Sequence, residues 1–170
     1  MTPTAILVAV LGLVAASCQN NEAEPAELPA AVADTRSRIL RAAESGDYER
    51  LRPLIDLDVF LSDYGFGSRQ PDPVRRWRRL GPKPLETMRV LLRMSSSVRE
   101  TNEGTLYQWP RFGPDSSAED ISDSERAQLR TILTDAELRN LILPEYGYTA
   151  PRLGILADGT WWFFILEAGP

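Results

Sequence analysis

The last part of the chain constrains the fold most, because it encodes a β-hairpin. Residues 152–167 read RLGILADGTWWFFILE, with Asp158 and Gly159 between two runs of strand-forming residues. An Asp-Gly pair in this position is a strong hairpin signal, since both central residues of the favoured two-residue turn need a positive φ angle. The sequence therefore predicts two adjacent antiparallel strands here.

A two-residue loop also predicts the register of this hairpin. The expected cross-strand pairs are Leu153 with Phe164, Gly154 with Phe163, Ile155 with Trp162, and Leu156 with Trp161. Both faces are then apolar. We expect helices to cover one face, and the strand region at residues 106–109 or a partner protein to cover the other.

Upstream of the hairpin, capping signals predict several short helices. Ser122-x-x-Glu125 and Thr134-x-x-Glu137 both fit the capping box ahead of apolar runs. Further helices are expected at residues 33–45, 48–55 and 73–80 and from Pro84 onward, and strands near residues 57–67 and 105–110. We predict an α+β fold in which several short helices pack on a small antiparallel sheet that includes the C-terminal β-hairpin.

The composition excludes several kinds of catalytic site. The 170-residue chain contains no histidine, a single lysine, Lys83, and a single cysteine, Cys18. Ser-His-Asp and Cys-His sites need an imidazole, and zinc sites usually need imidazole or thiolate ligands. The acidic segment with Asp56, Asp58 and Asp63 lacks the remaining ligands of a calcium-binding EF-hand loop. We therefore assign no catalytic residue, no metal ligand and no cofactor.

The N-terminal region has the pattern of an export signal. Residues 4–16, TAILVAVLGLVAA, form an uncharged apolar run, and a run of this length suits a secretory signal but is too short to span a bilayer. The following residues, Ala15-Ala16-Ser17-Cys18, resemble the lipobox of bacterial lipoprotein precursors, in which small residues precede a cysteine that is acylated and becomes the new N-terminus. Ordinary signal-peptidase cleavage, which would release a secreted soluble protein, is the alternative.

The resemblance implies a division of the chain into three parts. Residues 1–17 would be a signal peptide, residues 18–32 an acylated Cys18 with a flexible tether, and residues 33–170 a single α+β domain. Gln19 stands where an aspartate would favour inner-membrane retention in enteric-type sorting, so the resemblance favours the outer membrane.

Two further segments carry a second resemblance. YQWPRF at residues 107–112 and YGYTAPRLGILADGTWWFFILEAG at residues 146–169 resemble the C-terminal half of small uncharacterised exported proteins of alphaproteobacteria. The similarity covers about the last 65 residues, through a turn, a hairpin and aromatic side chains. It implies export but no activity.

Charge is distributed unevenly along the chain. Residues 69–99 contain nine basic and two acidic residues, whereas residues 100–145 contain ten acidic and four basic residues, and the net charge of the chain is -5. Helical spacing in the basic segment puts Val74, Trp77 and Leu80 on one face. The rest of that helix carries the candidate anion-binding residues Arg75, Arg76, Arg78 and Arg79. The alternative is a solvated helix whose arginines pair with the acidic segment.

These observations lead to one functional expectation with two alternatives. We expect an exported, lipid-anchored protein of the cell envelope that faces the periplasm and has a non-catalytic binding or accessory role. Its partners would be the membrane, through the N-terminal lipid, and an anionic envelope component or a protein, whereas the net negative charge argues against nucleic acid. The alternatives are a carboxylate-dependent hydrolase of cell-wall glycan, which needs only two acidic residues, and a plain secreted soluble protein.

Overall fold

The computed structural model describes residues 27–62 and 72–166. The expected signal peptide, the candidate lipidation residue Cys18 and most of the expected tether lie outside these ranges. Residues 63–67 of the predicted strand region also lie outside them.

Helices occupy the first half of the described chain and a short stretch between strands. The α-helices are α1 (Ala30–Ser45), α2 (Pro73–Arg79), α3 (Lys83–Leu91), α4 (Asp123–Leu129) and α5 (Asp135–Arg139), and 3-10 helices span Tyr48–Leu54 and Ala118–Asp120. The strands are β1 (Leu61–Ser62), β2 (Ser97–Thr101), β3 (Gly104–Trp109), β4 (Ile142–Leu143), β5 (Gly147–Tyr148), β6 (Arg152–Leu156) and β7 (Trp161–Ile165). No helix in the two described ranges is long and apolar enough to cross a bilayer.

The predicted α+β class is confirmed, but the sheet is mixed. Five strands form one sheet in the order β1-β7-β6-β3-β2, and β4 and β5 form a separate two-stranded ladder. β1 runs parallel to β7, with Leu61 opposite Phe163. The prediction of a purely antiparallel sheet is wrong at this edge, because a short strand from the first third of the chain pairs with the last strand.

Helix α1 begins earlier than the sequence predicts. The helix starts at Ala30, three residues before the expected start at residue 33, and the carbonyl oxygen of Pro29 accepts the first helical hydrogen bond from Ala33 at 2.9 Å. Val32 is fully buried and Leu28 packs against the core. Apolar contacts therefore hold the chain to the core from Leu28 onward.

The C-terminal hairpin forms with a longer loop than predicted. The backbone N–H of Leu156 donates to the carbonyl of Thr160 at 2.9 Å, and Gly159 adopts a φ of 91°. Three residues therefore form the loop, a pattern in which a positive-φ glycine creates a bulge. The pairs of Leu153 and Gly154 are confirmed.

The three-residue loop shifts the pairs next to the turn, and a bulge at Trp162 restores the predicted register from Gly154 onward. Ile155 lies opposite Trp161 and not Trp162, because the register shifts between Gly154 and Ile155. Trp162 is the extra residue of the bulge, and its ring lies 5.5 Å from that of Phe163. The predicted Ile155–Trp162 and Leu156–Trp161 pairs are therefore both wrong.

The two faces of the sheet differ in what covers them. Helices α1 and α3 pack against the face that carries Leu153, Ile155 and Phe164, which we call the inner face. The opposite, outer face carries a small cluster of buried Leu106, Leu156 and Phe163, flanked by half-buried Leu61, Trp162 and Ile165. Strand β3 pairs beside β6 and does not cover a face of the hairpin. The expected stacking of residues 106–109 on the hairpin is therefore wrong.

Two local predictions also differ from the structure. Ser97 begins β2, which forms a hairpin with β3 where the sequence predicts a single strand. Before β1, the carbonyl of Asp56 accepts hydrogen bonds from the backbone of Val59 and Phe60. These bonds close a turn, so the strand begins only at Leu61.

Candidate functional site

The candidate anion-binding residues lie on α2, which is fixed to the core by its opposite side. The carboxylate of Asp72 caps the helix by accepting from the backbone N–H of Arg75 at 2.9 Å, and Pro73 occupies the first turn. Val74 and Trp77 are buried. The Trp77 ring lies 5.4 Å from Phe164 in an aromatic cluster that also includes Phe60 and Trp161.

Leu80 departs from the predicted apolar face of α2. Its side chain is 41% exposed, because the helix ends at Arg79 and Gly81 turns the chain with a φ of 72°. A positive φ is accessible to glycine without steric cost, which suits the tight connection to α3. The buried anchor of α2 is therefore limited to its first two turns.

The four arginines differ in their surroundings. Arg75, Arg78 and Arg79 are exposed, and Arg76 is half-buried. Nη1 of Arg78 lies 3.0 Å from Oε1 of Glu49. For Arg75 and Arg79, no ion pair forms with any acidic residue in the part of the chain that the structure describes.

An ion-pair network links the start of α2 to the 3-10 helix. Arg52 pairs with Glu49 and, at 3.1 Å, with Oδ1 of Asp72. The hydrogen bond from the backbone N–H of Arg75 is the main cause of the lowered pKa of Asp72. The hydrogen bond from the Arg52 side chain adds to this effect. The network keeps the helix cap ionised and holds Arg78 beside Glu49.

The basic segment does not pair mainly with the acidic segment, contrary to the alternative interpretation. Arg78 pairs with Glu49 and Arg93 with Glu44, both of which precede the basic segment in the chain. Lys83 is an exception, because its charge acts on Glu137 in the acidic segment. The hydrogen bonds from Thr134 are the larger cause of the lowered pKa of Glu137, and the charge of Lys83 adds to it. Arg75, Arg78 and Arg79 therefore form no ion pair with the acidic residues at positions 100–145 among the described residues.

A cleft of about 450 Å³ lies beside the hairpin turn. It is bounded by the start of α1, the end of the 3-10 helix and the β6–β7 loop. Its acidic residues are Asp34, Asp56 and Asp158. This is the kind of concave site in which a carboxylate-dependent hydrolase would bind its substrate.

The carboxylates of this cleft have structural partners. Asp34 pairs with Arg38 at 3.6 Å. Oδ1 of Asp56 accepts from the N–H of Asp58 at 3.0 Å, and Oδ1 of Asp158 accepts from the N–H of Thr160 at 2.8 Å. The contacts of Asp56 and Asp158 stabilise turns, and that of Asp34 joins two successive turns of α1.

The carboxyl groups with shifted pKa values lie outside the cleft and all shift downward. They are Asp72, Asp120, Glu125 and Glu137. For Asp120 the cause is the hydrogen bond from the backbone N–H of Ser117, and for Glu125 the hydrogen bonds from Arg111 and Ser122 outweigh burial. These groups act as caps and ion-pair partners.

The structure also places two arginines that the sequence did not single out on the same face of the sheet. Arg99 on β2 lies opposite Leu106, and Arg152 on β6 lies opposite Ile165, which puts both on the outer face. Burial and the charge of Arg99 lower the pKa of Arg152. The two residues are far apart in sequence and are connected only through β3, so no local pattern could have found them.

No metal site is found in the part of the chain that the structure describes, and no similar protein is found. Within residues 27–62 and 72–166, no group of three His, Cys, Asp or Glu side chains is arranged to hold a metal ion. Asp63 and the candidate lipidation residue Cys18 lie outside those ranges. Comparison with known proteins gives no match to a family model, to a curated protein or to a solved structure.

Proposed function

We propose that this chain is an exported, lipid-anchored protein of the cell envelope that binds an anionic envelope component through the arginines of α2. The observation that carries the binding role is the outward display of Arg75 and Arg79 without an ion pair among the described residues, on a helix anchored by Trp77. Guanidinium groups bind phosphate and carboxylate oxygens through paired hydrogen bonds. Phosphate-bearing lipid head groups are the ligand we propose.

The spacing between Cys18 and the folded domain supports this arrangement. Residues 19–29 separate Cys18 from the start of α1 at Ala30. A fully extended chain of this length reaches about 40 Å. An acylated Cys18 would thus keep the arginines of α2 close to the membrane surface, on the periplasmic side, with the outer membrane as the proposed location.

The anchor is tested by the intact mass of the protein extracted from its native membrane. We expect a chain that starts at Cys18 and carries a diacyl or triacyl mass increment, which disappears in Cys18→Ala. An unmodified mature chain in the soluble fraction would contradict the anchor and support a plain secreted protein.

The binding role is tested with the double variant Arg75→Gln/Arg79→Gln. The matched control is Arg130→Gln/Arg139→Gln, which removes the same charge from exposed positions in the acidic segment. We expect co-sedimentation with phosphatidylglycerol vesicles at low salt to fall at least about fivefold in the α2 variant and to change little in the control. Equal retention of both variants would refute the binding role of α2.

The cleft supports a second candidate, a carboxylate-dependent hydrolase of cell-wall glycan. Asp34 and Asp158 both line the cleft, from different elements. Release of soluble fragments from purified peptidoglycan, lost in Asp34→Asn or Asp158→Asn, would establish this activity. We expect no release, because Asp34 is engaged by Arg38 and Asp158 accepts the backbone N–H of Thr160 in the hairpin loop.

A further inference from the structure

Strand β2 forms an edge of the main sheet. The strand order β1-β7-β6-β3-β2 gives β2 a neighbour on one side, and no strand of the described chain pairs with its other side. The opposite edge strand, β1, has only two residues, whereas β2 has five, Ser97–Thr101. The described sheet therefore has one edge long enough to pair with a further strand.

The register of the sheet shows which backbone groups of β2 point to this edge. The carbonyl of Thr105 accepts a hydrogen bond from the residue that follows β6, so the backbone groups of the next residue, Leu106, point to β2. Leu106 lies opposite Arg99, and hydrogen-bonded pairs alternate with non-hydrogen-bonded pairs in an antiparallel ladder. Val98 and Glu100 therefore direct their N–H and C=O groups away from β3.

The side chains of β2 protect this edge only in part. Proline, bulges and charged residues commonly prevent unwanted pairing at sheet edges, but β2 contains no proline and pairs with β3 without a bulge. Its charged residues are Arg99 and Glu100, both exposed. The apolar side chain of Val98 is 50% exposed, and half-buried Tyr107 lies opposite it on β3. A further strand would cover Val98.

The charge at the centre of β2 argues against a second copy of this chain as that strand. A twofold axis through the centre of Ser97–Thr101 would place two copies of Arg99 directly opposite each other. Like charges in this position destabilise a pair of strands, whereas opposite charges stabilise it. A strand with a carboxylate opposite Arg99 is therefore the better match.

We propose that β2 is a docking edge for an extended segment of a partner protein, which adds an antiparallel strand to the sheet. The matching segment has an acidic residue opposite Arg99 and β-branched apolar residues opposite Val98 and Glu100. The backbone groups of Val98 and Glu100 supply affinity, and the charge of Arg99 supplies specificity.

This docking edge is independent of the arginines of α2. Trp77 of α2 packs against Trp161 and Phe164 of β7, and β6 and β3 separate β7 from β2. The proposed function and this inference can therefore fail separately.

Two synthetic peptides test the proposal on the full mature chain. The acidic peptide, acetyl-Ser-Thr-Val-Glu-Val-Thr-Ser-amide, places its glutamate opposite Arg99 in the antiparallel register, and the basic peptide has lysine in place of the glutamate. We expect the acidic peptide to shift the amide signals of Val98, Arg99 and Glu100 in an NMR titration. It should bind at least about threefold more tightly than the basic peptide.

Reversal of the central charge checks the specificity. We expect Arg99→Glu to prefer the basic peptide by at least about threefold, because the attractive pair forms again with opposite signs. Arg130→Glu is the matched control, since it makes the same charge change at an exposed position after α4. This control should keep the preference of the wild type for the acidic peptide.

The backbone contacts are checked by changes that leave the β2–β3 ladder intact. Val98→Pro removes an N–H that points to the edge, where strands tolerate proline. Methylation of the backbone nitrogen of the second valine in the peptide removes the matching donor without altering the protein. We expect either change to weaken binding at least about fivefold. Methylation of the glutamate nitrogen, which points away from β2, should have little effect.

Several outcomes would overturn the proposal. Unchanged β2 amides at the solubility limit of the acidic peptide would remove the docking edge, as would equal affinity for the two peptides. Equal weakening by the two methylations would exclude an added strand in this register. Dimerisation of the wild-type chain through β2 would assign the edge to a second copy.

Discussion

At the scale of single residues, two buried threonines differ in whether their hydroxyl has a partner. Oγ1 of Thr35 donates to the carbonyl of Gly159 at 2.7 Å, which ties α1 to the hairpin loop. Oγ1 of Thr87, on α3, is buried without a hydrogen-bond partner. Burial of an unpaired hydroxyl costs free energy, whereas a paired one contributes to stability.

Valine substitutions at these two positions should therefore have opposite effects. We expect Thr87→Val to raise the free energy of unfolding by about 1 kcal/mol, and Thr35→Val to lower it by about 1 kcal/mol. Urea denaturation of both variants measures the difference, with Thr131→Val as an exposed control. A loss of stability in Thr87→Val would show that its hydroxyl is hydrogen-bonded in solution.

Gly154 is required by the close packing of the outer face. A Cβ at this position would lie 2.4 Å from Cε1 of Phe163 and 2.9 Å from Cδ1 of Leu106. We expect Gly154→Ala to lower the melting temperature through a loss of about 1 to 3 kcal/mol. Gly113→Ala is the control, because nothing lies within 4 Å of its Cβ position. Equal melting temperatures for the two variants would contradict the packing.

At the scale of elements, the capping boxes were predicted from local sequence. The Ser122–Glu125 and Thr134–Glu137 boxes are both confirmed by reciprocal hydrogen bonds. A third box joins Ser117 to Asp120; its helix has no apolar run to mark it. Capping boxes can be predicted from sequence because all their hydrogen bonds join residues three positions apart.

The capping box at Thr134 predicts a pH dependence of stability. Hydrogen bonds from Thr134 lower the pKa of Glu137 below its ordinary value of 4.5. A carboxyl group whose pKa is lower in the folded state stabilises the protein above the unfolded pKa and loses that contribution as the pH falls. The contribution should thus be present at pH 7 and decline below about pH 4.5.

Comparison of Glu137→Gln with the wild type checks this dependence. We expect the variant to be less stable by about 0.5 kcal/mol at pH 7 and the difference to shrink toward pH 3. Glu103→Gln, at an exposed turn position, should show no such change. A difference that grows as the pH falls would contradict the assigned direction.

At the scale of the whole molecule, the edge strand β1 and its neighbour β7 come from opposite ends of the described chain. β7 and β6 pair with each other, and β1 and β3 flank them on either side. Leu61 of β1 meets Phe163 of β7, and Thr35 of α1 reaches Gly159 in the hairpin loop. The C-terminal hairpin therefore organises contacts made by the first helix and the first strand.

This topology predicts a gradient of amide hydrogen exchange. We expect the amides of Leu153 and Phe164, in the sheet centre, to exchange only through global unfolding, and those of Arg99, on the edge strand β2, to exchange at least about tenfold faster through local opening. Native-state exchange followed by NMR measures both. Equal protection of β2 and β6 would show that the edge strand opens only together with the centre.

The sequence by itself determined the short-range features of this protein. The helix caps at Asp47, Asp72 and Ser122, the glycine that ends α1 and the hairpin at Asp158-Gly159 all follow from hydrogen bonds or φ angles within a few residues. The α+β class follows from the same signals together with the spacing of apolar residues. Each of these features is stabilised by residues close to it in sequence, so the local sequence is sufficient to predict it.

Tertiary structure alone decided the parallel pairing of β1, the shift at Ile155 and the placement of Arg99 and Arg152 on one face of the sheet. Each depends on which distant segments pack together, and many alternative pairings of apolar strands satisfy the same local preferences. Burial of the tryptophan-rich inner face against α1, α2 and α3 selects among them. That selection is a property of the whole core, because the apolar area removed from water is shared by all of its elements.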